Sequence, residues 1–266
     1  MTTDADQSKT KLTKTKWYDG SLDLWQPRDG FRATTDAVLI AAAVDASSRR
    51  VAELGAGSGA ASLALARRCP EVMITAIERD PLMASLLARN ITENAMHDRL
   101  DAVAADLHDA AATHAGQYDH VFFNPPYNDE ASSLSGDKRR RDAMAGDDLK
   151  GWINVAAQLL VDRGGMTMIS RADRLEMILE GCAAARLGEI VVRAVHARGD
   201  QPAIRVLLTA RKSVKGPLVL LPPLVLRDDA NALTPAMEAI SHRRGEIVMR
   251  APGRRRRLPV LPQHRD

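Results

Sequence analysis

One stretch constrains this chain more than any other. Between Val51 and Ile169, short apolar runs alternate with helix-patterned segments. Val51–Leu54, Met73–Ile77, Leu100–Ala104, Tyr118–Phe123 and Met166–Ile169 read as five buried strands. Ala60–Arg68, Pro81–Asn94 and Trp152–Leu160 read as helices, the last broken by Gly164–Gly165. Strands joined by short helical crossovers must run parallel, with helices covering both faces of the sheet. The end of the pattern departs from that rule. Ile190–His196 and Ala203–Ala210 are separated only by a segment containing Gly199, Asp200 and Pro202, so they form a hairpin and the last strand is antiparallel.

The first strand runs into Glu53-Leu54-Gly55-Ala56-Gly57-Ser58-Gly59 and then into a helix. Glycines allow a tight turn and let a ligand approach the main chain, and a helix N-terminus attracts an anionic group. By itself this pattern also suits a nicotinamide dinucleotide fold or a plain turn. Two further strand ends narrow it. Glu78 closes the second strand, where a carboxylate can hold both ribose hydroxyls. Asp106 follows the third, where it can accept from an adenine amine with Leu107 against the ring. A nicotinamide fold gives Asp106 no role, whereas an isolated acid on either loop would simply be solvated. Glu53 faces the same crevice.

The most specific signal is Asn124-Pro125-Pro126-Tyr127, directly after the fourth strand. Paired prolines stiffen the backbone and remove two N–H donors. The Asn124 amide oxygen and the Pro125 carbonyl can then accept from an exocyclic amine, while Tyr127 stacks on its base. The plainer reading is a rigid Pro-Pro turn.

The three strand ends resemble class I S-adenosylmethionine-dependent methyltransferases over about Ala37 to Lys212. That resemblance implies a Rossmann-like, seven-stranded mixed α/β sheet with an antiparallel last strand and helices on both faces. It implies S-adenosyl-L-methionine as cofactor, bound by Glu53, Gly55, Gly57, Gly59, Glu78, Asp106, Leu107 and Asn124. The tetrapeptide resembles that of amino-group methyltransferases, which act on adenine, on guanine in ribosomal RNA or on protein glutamine. About 50 residues precede the glycine turn, too few for the helical substrate domain of the glutamine enzymes. The chain is most similar to the bacterial tRNA(Val) adenine-N6-methyltransferase family. The matching residues are Asp29 to Leu39, the glycine turn, Phe123 to Asn128, and Val195-His196 through Arg205-Val206-Leu207. By this likeness Phe31-Arg32 and Thr34-Thr35-Asp36 form a flap over the cofactor, so Thr35 and Asp36 join its site. Thr35 or Asp36 as a plain helix cap is the alternative.

Charge refines the partner. Lys+Arg is 37 against Asp+Glu 34, so net charge alone says little, but the bases cluster. Lys138, Arg139, Arg140 and Arg141 lie in the long loop after the tetrapeptide, where a nucleic acid must pass to reach Tyr127. Arg254–Arg257 closes the chain. Phosphate binding is the expectation for the loop; a solvated charge run is the alternative. Two cysteines, Cys69 and Cys182, make neither a disulfide scaffold nor a zinc site, and the seven histidines show no metal spacing. No apolar stretch approaches a membrane span and the N-terminus lacks an export signal, so a cytoplasmic enzyme is expected.

The expected organisation is a flexible basic arm (1–16), an N-terminal flap and helix (17–50), a catalytic domain (51–213) and a Pro/Arg-rich extension (214–266). The expected activity is methyl transfer to the exocyclic amine of adenine in RNA, with tRNA as partner and no metal or membrane. Guanine in ribosomal RNA, a protein glutamine, or a non-catalytic RNA-binding protein of the same fold are the alternatives.

Overall fold

The computed structural model describes residues 11–30, 32–126, 149–242 and 245–250. Among these, ten strands and seven α-helices follow one another. The N-terminal elements are β1 (Leu12–Trp17), β2 (Leu22–Pro27) and α1 (Thr35–Ala43). The alternating core comprises β3 (Arg50–Leu54), α2 (Ala60–Arg68), β4 (Met73–Glu78), α3 (Pro81–Glu93), β5 (Leu100–Ala104), α4 (Leu107–His114) and β6 (Tyr118–Phe123). It continues through α5 (Leu149–Leu159), β7 (Leu160–Arg171), α6 (Leu175–Ala184), β8 (Leu187–Arg198), β9 (Ala203–Lys212), β10 (Val219–Arg227) and α7 (Pro235–Ser241).

The main sheet has the order β10-β8-β9-β7-β6-β3-β4-β5. Strands β5, β4, β3, β6 and β7 are mutually parallel, and β9 runs antiparallel to both β7 and β8. The seven expected strands are therefore all present, with the antiparallel one inserted beside β7. An eighth, β10, adds parallel to β8 at the edge.

Alternation along each strand sends neighbours to opposite faces. Val51 joins the apolar cluster under α1 and α2, and Ala52 the cluster under α4, α5 and α6. Phe122 and Phe123 divide the same way. Both rings are fully buried, and truncating either to alanine should cost about 3–5 kcal/mol. Local signals fix the helix starts. Pro81 opens α3, and the Asp80 side chain accepts from the N–H groups of Leu82 and Met83 at 2.9 and 3.0 Å.

Four expectations change. Part of the expected arm 1–16 is strand, because Leu12–Trp17 pairs antiparallel with Leu22–Pro27 around a turn at Tyr18–Ser21; residues 1–10 lie outside the described residues. The cap of α1 is Thr34, in extended backbone, rather than Thr35 or Asp36. Gly164–Gly165 lie inside β7, where the ladder with β6 shifts register and Arg163 adopts a φ of 63°. The stretch after 214 is partly built into the sheet through β10. Its α7 packs on the α1 cluster through Met237 and Ile240. Cys69 and Cys182 are buried thiols, and burial pushes Cys182 up to about 12.

Candidate active site

Register brings the strand ends together. Leu54 lies opposite Ile77 on one side and Phe123 on the other. The next residues along each of these strands, Gly55, Glu78 and Asn124, therefore stand side by side at the carboxyl edge of the sheet. Glu78 itself pairs with Ala104, which sets Asp106 two residues beyond the same edge. Ligands of open parallel sheets bind outside these carboxyl ends.

The glycine turn is tight because its backbone is left-handed at three points, with φ of 63°, 57° and 88° at Gly55, Gly57 and Gly59. Side chains would not fit at two of them. A Cβ at Gly55 would lie 2.4 Å from the Trp152 indole, and one at Gly59 would lie 2.5 Å from Leu87. Trp152, from α5, also stacks tilted on Phe123 with ring centroids 5.8 Å apart. One indole thus underlies both the glycine turn and the strand that carries Asn124. Nothing in the local sequence around Trp152 announces that role.

Two buried carboxyl groups sit behind the turn. Glu78 accepts from the Gly57 N–H at 2.7 Å with one oxygen and from the Asp80 N–H at 2.8 Å with the other. Burial raises its pKa, and those N–H bonds pull it back. Glu53 bonds to the Ser62 hydroxyl on α2. Burial pushes it up to about 8, against the bonds from Ser62 and with help from the charge of Glu78. At neutral pH it is therefore largely a neutral acid. Asp106 is half-exposed; it caps α4 by accepting from the His108 N–H at 2.9 Å, and Arg79 lies 3.9 Å away. Leu107 follows it, buried.

Asn124 is half-buried at the mouth and Pro125 is buried behind it. Tyr127, the basic cluster Lys138–Arg141 and Phe31 lie outside the described residues, as does Arg254–Arg257. In the flap segment, Asp36 is buried in the first turn of α1, and the Arg205 Nε donates to it at 2.9 Å. That ion pair ties α1 to the start of β9, next to Arg171 at the end of β7. It was not readable from the sequence, since 169 residues separate the partners.

A cavity of about 700 Å³ lies at the other edge of the sheet, lined by Asp45, Asp119, His120, Thr167 and Arg211 among others. It is remote from every strand end described above. Among the described residues, no group of three or more His, Cys, Asp or Glu could hold a metal ion, and no helix is long and apolar enough to cross a membrane.

The strand order, the antiparallel β9 and a glycine turn beside a strand-end acid define a class I methyltransferase. Residues 33–179 match the family described as the methyltransferase small domain, more than half of the chain, and the chain belongs to that family of S-adenosylmethionine-dependent enzymes. A protein of Serratia proteamaculans named tRNA1(Val) (adenine(37)-N6)-methyltransferase is 32% identical over 198 residues, covering 73% of this chain and 71% of its own. A protein of the same name from Haemophilus influenzae is 26% identical over 208 residues, 77% of this chain and 87% of its own. A crystal structure from Agrobacterium tumefaciens, described as a predicted O-methyltransferase, superposes with a TM-score of 0.68 at 28% identity. It covers 80% of this chain and 98% of that one. The M. jannaschii TYW2 structure in complex with AdoMet shares the fold, with a TM-score of 0.54 at 17% identity, over 76% of this chain and 86% of its own.

Proposed function

We propose that this chain methylates the exocyclic amine of an adenine in tRNA, as a cytoplasmic enzyme. The observation that carries the reading is the register that sets Gly55 and Asn124 next to each other at the ends of β3 and β6. Relatives named for adenine-N6 methylation of tRNA support the choice of substrate.

The site's own residues fit an S-adenosyl nucleoside. Glu78 is a desolvated acceptor suited to ribose hydroxyls, and its N–H partner Gly57 belongs to the turn itself. Asp106 keeps one oxygen for the α4 cap and is exposed enough to meet an adenine amine with the other. The neutral acid of Glu53 adds no anionic charge beside the methionine end. When bound, the cofactor supplies an electrophilic methyl group.

An aromatic amine is a poor nucleophile, because its lone pair is delocalised into the ring. Asn124 Oδ1 and the Pro125 carbonyl accept its two N–H bonds and favour a pyramidal nitrogen. Positive charge on that nitrogen strengthens both bonds, so they stabilise the transition state more than the ground state. Tyr127 stacks on the base, and Lys138–Arg141 meets the phosphates. In this reading Thr35 and Asp36 belong to the flap over the cofactor, and Arg205 braces Asp36 through its bond of 2.9 Å.

The test incubates purified protein and isotopically labelled S-adenosylmethionine with unmodified tRNA, and in parallel with ribosomal RNA and with a cell protein extract, then reads nucleosides and peptides by mass spectrometry. Labelled N6-methyladenosine is the expected product. Labelled N2-methylguanosine from ribosomal RNA, or label on a protein glutamine, with none in tRNA, would replace this reading with another amine.

A further inference from the structure

Helix α3 carries a buried Asn90 and ends on the half-buried cap residue Asn94, and each treats β2 as a neighbouring strand would. The Trp25 N–H donates to Asn90 Oδ1 at 2.8 Å, and Asn90 Nδ2 donates back to the Trp25 carbonyl at 2.9 Å. One helical turn on, the Asp23 N–H donates to Asn94 Oδ1 at 3.0 Å, and Asn94 Nδ2 donates to the Asp23 carbonyl at 2.7 Å. The spacings match. Four helical residues advance about 6 Å and two strand residues about 6.6 Å, so side chains at i and i+4 reach alternate strand residues.

The two asparagines differ in their remaining N–H. Asn94 spends it on its own helix, at the Asn90 carbonyl, 2.7 Å away. Asn90 donates it to the Ser58 carbonyl inside the glycine turn, at 2.9 Å. Asn90 is fully buried, and its one acceptor and two donors are all used. Ser58 stands between Gly57, whose N–H meets Glu78, and Gly59, which opens α2.

We propose that Asn90 is a positioning residue of the cofactor site, setting the conformation of the glycine turn from behind and tying it to the β1–β2 hairpin. Asn94 makes the same strand contacts without the link to the turn, so it serves as an internal control. The proposal rests on reading the glycine turn as the cofactor cradle. An amide is required here because it must accept one bond and donate two within a dry site. A carboxylate of the same shape keeps the bond from the Trp25 N–H but turns two donors into repulsion with the carbonyls of Trp25 and Ser58. An unmet buried carbonyl is costly, so the turn shifts instead.

The experiment measures S-adenosylhomocysteine binding by calorimetry for Asn90→Ala, Asn90→Asp, Asn94→Ala and Glu78→Ala, with thermal unfolding of each. Both Asn90 variants should weaken binding about tenfold, equal to about 1.4 kcal/mol. Asn94→Ala should lower the melting temperature yet leave affinity within about twofold. Amide exchange at Gly59 should accelerate in the Asn90 variants only, and KM for S-adenosylmethionine should rise while kcat changes little. If Asn90→Ala does not fold, the isosteric Asn90→Asp carries the comparison. Equal effects at positions 90 and 94, or no loss of affinity at 90, would overturn the proposal. Glu78→Ala should itself weaken binding about tenfold; intact affinity there would instead remove the cradle reading on which the proposal stands.

Discussion

The two edges of the main sheet bury ionisable groups by the same physics and use them differently. At the carboxyl edge, burial pushes Glu53 up to about 8. At the amino edge, burial pulls His120 down to about 4, with Thr167 as its hydrogen-bond partner at 2.9 Å. Both groups are therefore mostly neutral near pH 7. The amino edge also has a cavity of about 700 Å³, and Asp119 there spends one carboxylate oxygen on the N–H groups of Arg49 and Arg50. On the proposed function, a perturbed buried group beside a cavity does not mark the active site of this molecule. The mark is backbone: three left-handed glycines, a helix start and an in-register row of strand ends, all at one edge.

If that contrast is right, the largest single loss comes from Asn124→Ala. Turnover should fall by roughly 10²–10³, the range for removing one transition-state hydrogen-bond partner. S-adenosylhomocysteine affinity should fall far less than turnover, as calorimetry would reveal, because the main partner of Asn124 is the target amine. His120→Asn, at the other edge, should leave both quantities unchanged.

Gly55→Ala comes next. A methyl group there meets Trp152 at a φ that side chains avoid. Overpacking of this kind costs about 1–3 kcal/mol, to be read as a lower denaturation midpoint together with weaker cofactor binding. A stable variant with intact affinity would show that the turn tolerates what the Trp152 contact forbids.

A smaller effect concerns the basic loop. Replacing Arg139, Arg140 and Arg141 by alanine should raise the Kd for tRNA and flatten its salt dependence, since fewer counterions are released. Cofactor affinity should not move. A slope equal to the wild type would take the loop off the phosphate path.

The smallest effects lie in pH. Folded Glu53 keeps its proton between its ordinary 4.5 and about 8, where the unfolded chain has lost it, so stability falls as pH rises through that window. Folded His120 refuses a proton between 6.5 and about 4, where the unfolded chain takes one, so stability falls as pH drops through that window. Denaturant midpoints against pH should lose the fall between 4.5 and about 8 in Glu53→Gln, and the fall from 6.5 down to about 4 in His120→Asn. The opposite assignment would reverse the roles of the two edges.

What the sequence disclosed follows the same division. Strands β3 to β6 and the glycine turn were legible because each is a short apolar run closed by a residue of special backbone or charge. Other elements were silent for physical reasons. The β1–β2 hairpin carries alternation and an Asp19-Gly20 turn, but its β1 strand has no buried face, and β2, besides burying Leu22 and Leu24, binds through its backbone to the amides of Asn90 and Asn94. A hydrophobic pattern cannot report that kind of partner. Strand β10 contains Pro222 and Pro223, which argue against a strand; it survives because it is at the sheet edge and its register slips there. Helix α4 is one short alanine-rich turn pair with three buried residues, below what periodicity resolves. In the site, Asn124, Glu78 and Asp106 stood out by position. Trp152, Asn90 and Arg205 did not, since their roles depend on contacts across the fold.

The pairing of β2 with α3 also sets an order of events during synthesis. Trp25 precedes Asn90 by 65 residues and Asp23 precedes Asn94 by 71. An isolated two-stranded hairpin is marginal in water. Strands β1 and β2 therefore lack these two amide partners until α3 follows them out, and closing so long a loop carries its own entropic cost. The anchor behind Ser58 then closes only after α3 has emerged, so a nascent chain halted before Asn90 has its glycines in sequence but lacks the amide that braces them from behind.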